Sequence, residues 1–161
     1  MNDKTDKVTT LLFLRHKGQI LLAMKKRGWG ADRWNGVGGK IEPGETIEQA
    51  LVRECREEIG TTPLDFHKVA QHDFVMDSET NSPWHIHVHT YFCDSWEGEP
   101  VETEEMAPKW FAVSNIPYDD MWADDRYWLP KVLSGKLLTT QFTFDKHQNM
   151  VGKQITEVDS L

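Results

Sequence analysis

The sequence predicts one mixed α/β domain, and three observations predict it. Short apolar or alternating runs at 8–14, 19–25, 67–76, 84–92, 107–113, 137–144 and 150–158 read as strands. Helix signals occur in two separated stretches, 46–60 and 121–134. No repeat, low-complexity tract or interdomain linker breaks the 161 residues, so 1–161 is read as a single domain.

Taken in order, the runs at 8–14 and 19–25 flank His16-Lys17-Gly18 and predict a hairpin. The basic cluster Lys25-Lys26-Arg27 then meets Gly28-Trp29-Gly30. It has two readings: a solubilising strand end, or an approach for phosphate. Asn35-Gly36-Val37-Gly38-Gly39-Lys40 follows. It is not a P-loop, because Ile41 stands where Ser or Thr is needed, and it lacks the third glycine of a dinucleotide fingerprint. Its glycines predict close approach of backbone to a ligand or ion.

Thr46-Ile47-Glu48-Gln49 is a capping box, so a helix starts here, and Gly60 stops it. With Ile47 at zero, Ala50, Leu51, Cys55 and Ile59 form an apolar sector. Glu54 and Glu58 fall within about 20° of Ile47, inside that sector, and Glu57 sits at its edge. Two acids on a core-facing stripe repel and resist desolvation unless a cation neutralises them. Hard divalent ions want clustered oxygens of this kind. The competing reading pairs Glu54 and Glu58 with Arg53 or Arg56; Arg53 and Glu57, four apart, are expected to form a surface pair.

The strands at 67–76 and 84–92 are joined by a polar turn, 77–83. His85, His87 and His89 alternate and share one face. A zinc reading is set aside in favour of a half-polar strand face, since no Cys or acid lies at ligand-like spacing in the chain. The acidic loop 97–105 offers Glu102 or Glu105 to a metal shell. Met121-Trp122-Ala123-Asp124-Asp125 opens the second helix, which contains Pro130 and is expected to kink there. Asp124 and Asp125 either N-cap that helix or share a proton in an apolar pocket and read a base edge, with Trp122 nearby to stack. A hairpin around 145–149 closes the chain.

A net charge of −8 argues against nonspecific nucleic-acid or anionic-membrane binding, and no stretch approaches membrane-spanning length. Cys55 and Cys93 do not make a disulfide framework, and the opening MNDKTDK has no apolar run of a secretory signal. The expectation is a soluble, cytoplasmic protein, monomeric and without a stable nucleic-acid partner.

Gly39, five residues, Glu45, seven residues, then Arg53-Glu54-Cys55-Arg56-Glu57-Glu58-Ile59-Gly60 resembles the Nudix box at every fixed position; Cys55 and Thr61 replace aliphatics. Beyond the box, Met24-Lys25-Lys26-Arg27-Gly28, Arg33-Trp34-Asn35-Gly36, Pro100-Val101-Glu102, Asp120-Met121-Trp122, Asp124-Asp125 and Tyr127-Trp128 are similar to the MutT-like, 8-oxo-dGTPase branch of the Nudix superfamily. The resemblance implies an α/β/α sandwich around a central mixed sheet. It implies Mg²⁺-dependent hydrolysis (Mn²⁺ substituting) of an oxidised purine nucleoside triphosphate to monophosphate and pyrophosphate. It implies Gly39, Glu54, Glu57, Glu58 and Glu102 as metal ligands, with Glu45 and Arg53 bracing the catalytic loop. It further implies Asn35, Asp124 and Asp125 on the base edge, Trp122 on its face, and Thr10, Phe74 and Trp29 lining the pocket. Lys25 is expected to add positive charge near the phosphates. Trp29 stands where the branch has Phe, and Met76 where it has an aromatic.

Overall fold

The computed structural model describes residues 6–77 and 83–161. The first five residues of the N-terminal segment, and 78–82 of the expected polar turn, lie outside that range. In chain order the elements are β1 (Lys7–His16), β2 (Gln19–Lys25), β3 (Trp34–Asn35), α1 (Ile47–Ile59), β4 (Thr62–Met76), β5 (Trp84–Glu97), β6 (Met106–Ala112), α2 (Asp125–Leu133), β7 (Leu137–Phe144) and β8 (Met150–Val158). The sheet runs β3-β2-β1-β5-β4-β7-β8, with β6 paired to β2. β1–β5 and β4–β7 are parallel and the other pairings antiparallel, so the sheet is mixed.

The hairpin at the start forms as expected, its turn made by Lys17 and Gly18, both at positive φ. β1 is buried on both faces, and alternation splits its side chains between two cores. Leu12 and Leu14 pack with Leu51, Cys55 and Ile59 of α1. Phe13 points the other way, toward Trp128 and Leu129 of α2 and Phe142. The helices therefore cover opposite faces, giving the α/β/α sandwich.

Several elements differ from the sequence reading. β4 begins at Thr62 and β5 ends at Glu97, beyond the expected 67 and 92. Register shifts between Pro63 and Phe66 let the pairing pass a proline and two exposed residues that hide the period. β3 is two residues long, too short to show any period. α2 starts at Asp125, four residues after the expected 121, and ends at Leu133 with Ser134 as its cap; Pro130 within it deprives the Arg126 carbonyl of its usual donor.

The glycine-rich segment after β3 lies along β1. Leu12 and Val37 exchange both backbone hydrogen bonds (2.7 and 3.0 Å), and Thr10 N–H donates to the Gly39 carbonyl (2.9 Å). A Cβ on Gly38 would sit 1.8 Å from the Thr10 carbonyl oxygen, and one on Gly36 2.7 Å from that of Leu12. These two glycines thus permit approach to the protein's own backbone, where the sequence suggested a ligand. Gly38→Ala is expected to cost about 3 kcal/mol or more, since the obstructing atom is backbone. Urea unfolding of the variant checks this; a midpoint equal to wild type would refute the constraint.

Candidate active site

Both halves of the capping box form: Gln49 N–H donates to Thr46 Oγ1 (3.1 Å) and Thr46 N–H to Gln49 Oε1 (2.9 Å). Gly60 ends α1 in the left-handed region at φ 69°. With the helix phased this way, Glu58 is buried at 5% exposure and Glu54 is partly buried beside it. Arg53 Nε and a terminal amine hold both oxygens of Glu45 (2.7 and 2.9 Å). The guanidinium also reaches Glu54 (2.9 Å), Glu57 (3.3 Å) and the Lys40 carbonyl (3.1 Å). The hydrogen bond from Arg53 lowers the Glu45 pKa to about 2.

The sequence alternative, that basic groups neutralise both stripe acids, is half right. Glu54 is paired with Arg53, whereas Arg56 bonds Thr62 instead. Glu58 accepts from Gly38 N–H (3.3 Å) and faces Glu54. Burial, then the charge of Glu54, pushes the Glu58 pKa up to about 8. A Cβ on Gly39 would lie 2.5 Å from the Glu54 carboxyl carbon, so a larger residue here would push that carboxylate away from the loop. Two carboxylates beside a glycine loop offer only oxygen donors, the chemistry a hard divalent cation prefers. Glu57 is exposed at the rim of the cluster.

Of the two loop acids, Glu102 is exposed and paired with Lys26, while Glu105 is near enough to add to the raising of Glu58 and lies 3.6 Å from Arg27. The basic cluster is thus divided. Lys26 and Arg27 pair with the loop, and Lys25 lines the cleft, its Nζ donating to the Trp29 carbonyl (2.7 Å).

That cleft, of about 710 Å³, runs from Glu58, Gly38 and Gly39 to Asp124 and Asp125 and brings together Thr10, Lys25, Trp29, Asn35, Phe74 and Trp122. Thr10 is buried, with Gly39 N–H directed at its hydroxyl (3.5 Å). Asn35 Oδ1 accepts from Gly36 N–H (2.8 Å), which leaves its amide as the free donor. Asp124 and Asp125 are each 3% exposed. Asp124 has helical backbone and makes no capping bond, which removes the capping alternative for it. Its Oδ2 instead accepts from the Trp128 indole (2.8 Å). Asp125 Oδ2 is buried without a hydrogen-bond partner. Burial raises both pKa values, and the charge of Asp124 raises Asp125 further, which favours one shared proton on the pair.

Trp29 stacks on Trp122 with centroids 4.8 Å apart, and the Arg33 guanidinium lies 4.0 Å over the same ring. Sequence reasoning missed Arg33 and Trp128. The spacing of Trp128, four residues after Asp124 on one helix, was the available signal. It also missed that Asp73 of β4 pairs in register with His87 of β5. The acid absent along the chain from the histidine run is supplied across the sheet. Cys55 is free, and burial pushes its thiol pKa up to about 12, so it stays protonated beside the acids.

The NUDIX domain family model matches residues 4–132. The oxidized purine nucleoside triphosphate hydrolase of Danio rerio is 44% identical over 98% of this chain and 99% of its own length. The Mus musculus protein of the same name is 41% identical, covering 97% and 98%. Among solved structures, the mutator MutT protein of Bacillus halodurans superposes with a TM-score of 0.81 at 25% identity, covering 92% of this chain and 97% of that one. The box on α1, the sandwich that carries it and these near-full-length relatives place the chain in the Nudix hydrolase family.

Proposed function

We propose that the protein hydrolyses oxidised purine nucleoside triphosphates, such as 8-oxo-dGTP and 2-oxo-dATP, to the monophosphate and pyrophosphate, clearing damaged nucleotides from the free pool. The observation that carries this reading is the buried Asp124–Asp125 pair lining the cleft, with one Asp125 oxygen unpartnered. A protonated Asp125 donates to a purine carbonyl while Asp124 accepts from a ring N–H. Oxidation of a purine adds a carbonyl and moves a ring proton, which is what such a pair distinguishes. Asn35 adds an amide donor, and Phe74 walls the cleft. Trp122 takes the base face once Trp29, half exposed, swings aside. The names of the fish and mouse relatives support the same substrate class.

At the other end, Glu54, Glu57, Glu58 and the Gly39 carbonyl would hold Mg²⁺, or Mn²⁺ in its place, with Glu102 reaching in from its loop. When bound, the ion supplies neutralising charge and Lewis acidity at the phosphates. One glutamate of the cluster positions the attacking water and takes its proton. Arg53 keeps Glu45 and the glycine loop in register with α1, and Lys25 adds positive charge toward the phosphates. The acidic surface suits a monomer acting on free cytoplasmic nucleotides more than on nucleic acid. No helix among the described residues is long and apolar enough to cross a membrane.

Glu58→Gln is expected to lower turnover about 10³-fold while leaving thermal unfolding within a few degrees of wild type. Pyrophosphate release with Mg²⁺ measures it, and near-normal turnover would remove Glu58 from the machinery. Substrate class is read from a panel of 8-oxo-dGTP, 2-oxo-dATP, dGTP, ADP-ribose and a dinucleoside polyphosphate. A modified purine triphosphate should lead, and preference for ADP-ribose or the dinucleotide would overturn the base-edge assignment.

The carboxyl pair also makes a pH prediction. Its folded pKa values are raised, so its contribution to stability is full below the unfolded value near pH 4 and is lost as pH rises through the folded values. Asp125→Asn removes that proton, so its denaturation midpoint should fall less than wild type between pH 5 and pH 8. The same variant should lose about 10-fold or more in kcat/KM for the preferred oxidised purine. Parallel stability curves for the two proteins would show that the pair does not retain its proton.

A further inference from the structure

Behind the wall of the cleft, the sheet carries a second cluster that the proposed hydrolysis does not use. Asp73 of β4 pairs with His87 of β5, and His85 is the next residue on the same face. His85 Nδ1–H donates to Asp73 Oδ1 (2.8 Å), and His87 Nδ1 lies 3.7 Å from that oxygen. One ligand atom from each of the three residues falls within 4.8 Å of the other two. The imidazoles lie nearly parallel, at 12° with centroids 5.8 Å apart. Gln141 Nε2 of β7 donates to Asp73 Oδ2 (3.0 Å), which turns the other oxygen toward the histidines.

We infer that Asp73, His85 and His87 bind one transition-metal ion of the Zn²⁺ class, joining β4 to β5 behind the nucleotide cleft. Two imidazoles and a carboxylate are a borderline donor set that favours Zn²⁺ over hard Mg²⁺. Ligand atoms about 2.0–2.1 Å from a tetrahedral Zn²⁺ stand roughly 3.3 Å from one another. That lies between the 2.8 and 3.7 Å separations of the two histidines from Asp73, and the histidine ligand atoms are within 4.8 Å of each other, so modest side-chain shifts complete the set. The three side chains are 27, 32 and 45% exposed, which leaves a fourth position to water. Gln141 fills the outer-shell role of orienting the carboxylate. His89, on the same face, is excluded because its Nδ1 meets the Lys68 ammonium group at 3.0 Å.

The position gives the ion a consequence. Phe74 follows Asp73, and Ile86 lies between the two histidines; both line the cleft from the opposite face of the sheet. The ion would brace these two strands without touching the glutamate cluster or the carboxyl pair.

The test is calorimetric titration of tag-free, full-length protein with Zn²⁺ in excess Mg²⁺, followed by NMR of the histidine rings. One equivalent should bind and shift the His85 and His87 resonances but not those of His89. Asp73→Asn should weaken binding about 10-fold or more, and His85→Ala/His87→Ala should abolish it while Mg²⁺-dependent triphosphate hydrolysis stays at the wild-type rate. Binding should persist in Glu54→Gln/Glu58→Gln, which separates this site from the proposed catalytic one. Absence of ring shifts in the wild type overturns the inference on its own, whether or not the variants fold. So does Zn²⁺ binding that survives the histidine substitutions, or that disappears with the glutamates.

Discussion

The structure depends most on the guanidinium of Arg53. Its planar fork reaches both oxygens of Glu45, then Glu54, Glu57 and the Lys40 carbonyl. Without that cation, the acids on one side of α1 would face one another across a few ångströms of partly dry protein, and repulsion would drive them apart. With it, the loop before the helix is fixed to the helix, and the Gly38–Gly39 backbone is set against Glu54 and Glu58. A lysine has one compact charge and no planar fork, so it would not make this set of bonds. Arg53 leaves Glu58 outside its reach, and the cluster therefore retains one buried acid with no cationic partner of its own among the described residues.

β1 connects this end to the other. Thr10 bonds the backbone of Gly39, Leu12 and Leu14 support α1, and Phe13 packs against Trp128 at 6.1 Å. Trp128 in turn donates its indole proton to Asp124. The proposed phosphate and base ends are thus held from the two faces of one strand that is buried on both. A change of shape at Phe13 would reach Asp124 through a single ring, while leaving the glutamate helix on its own core.

Much of this was legible in the chain. The period and caps of 46–60 placed Glu54 and Glu58 on the buried stripe, and the structure agrees because both ends of α1 carry strong local signals. Alternation identified most strands, although β3 and the outer ends of β4 and β5 escaped it, the first being too short and the others interrupted by the exposed pairs Leu64-Asp65 and Asp94-Ser95, which hide the period. The reason for Gly36 and Gly38 was not legible, since it lies in the carbonyls of Leu12 and Thr10, more than twenty residues away. Nor was the partner of the histidine run. Asp73 precedes His85 by twelve residues and meets it only through cross-strand register. Spacing along a chain reports helical neighbours well and sheet neighbours poorly, because register depends on the turn and on the buried face.

Glu58 and the Asp124–Asp125 pair line one cleft, with Glu54 beside Glu58, and burial assigns the two groups different counter-charges. Glu58 accepts from the Gly38 amide of the adjoining loop, and Glu54 is paired with Arg53. Those two glutamates offer only oxygen donors, so under the proposed function their counter-charge would be a hard divalent cation. Asp124 and Asp125 are enclosed by Trp122 and Trp128 and offer a cation no comparable shell among the described residues; their least costly neutralisation is a proton. The same desolvation that makes both pairs unstable as bare charges thus suits one to a metal and a polyphosphate and the other to a hydrogen-bond pattern. A substrate that satisfies both must carry multiple negative charges at one end and a ring with paired donor and acceptor at the other. A purine nucleoside triphosphate has that distribution, and oxidation of the ring alters the end that the carboxyl pair would read.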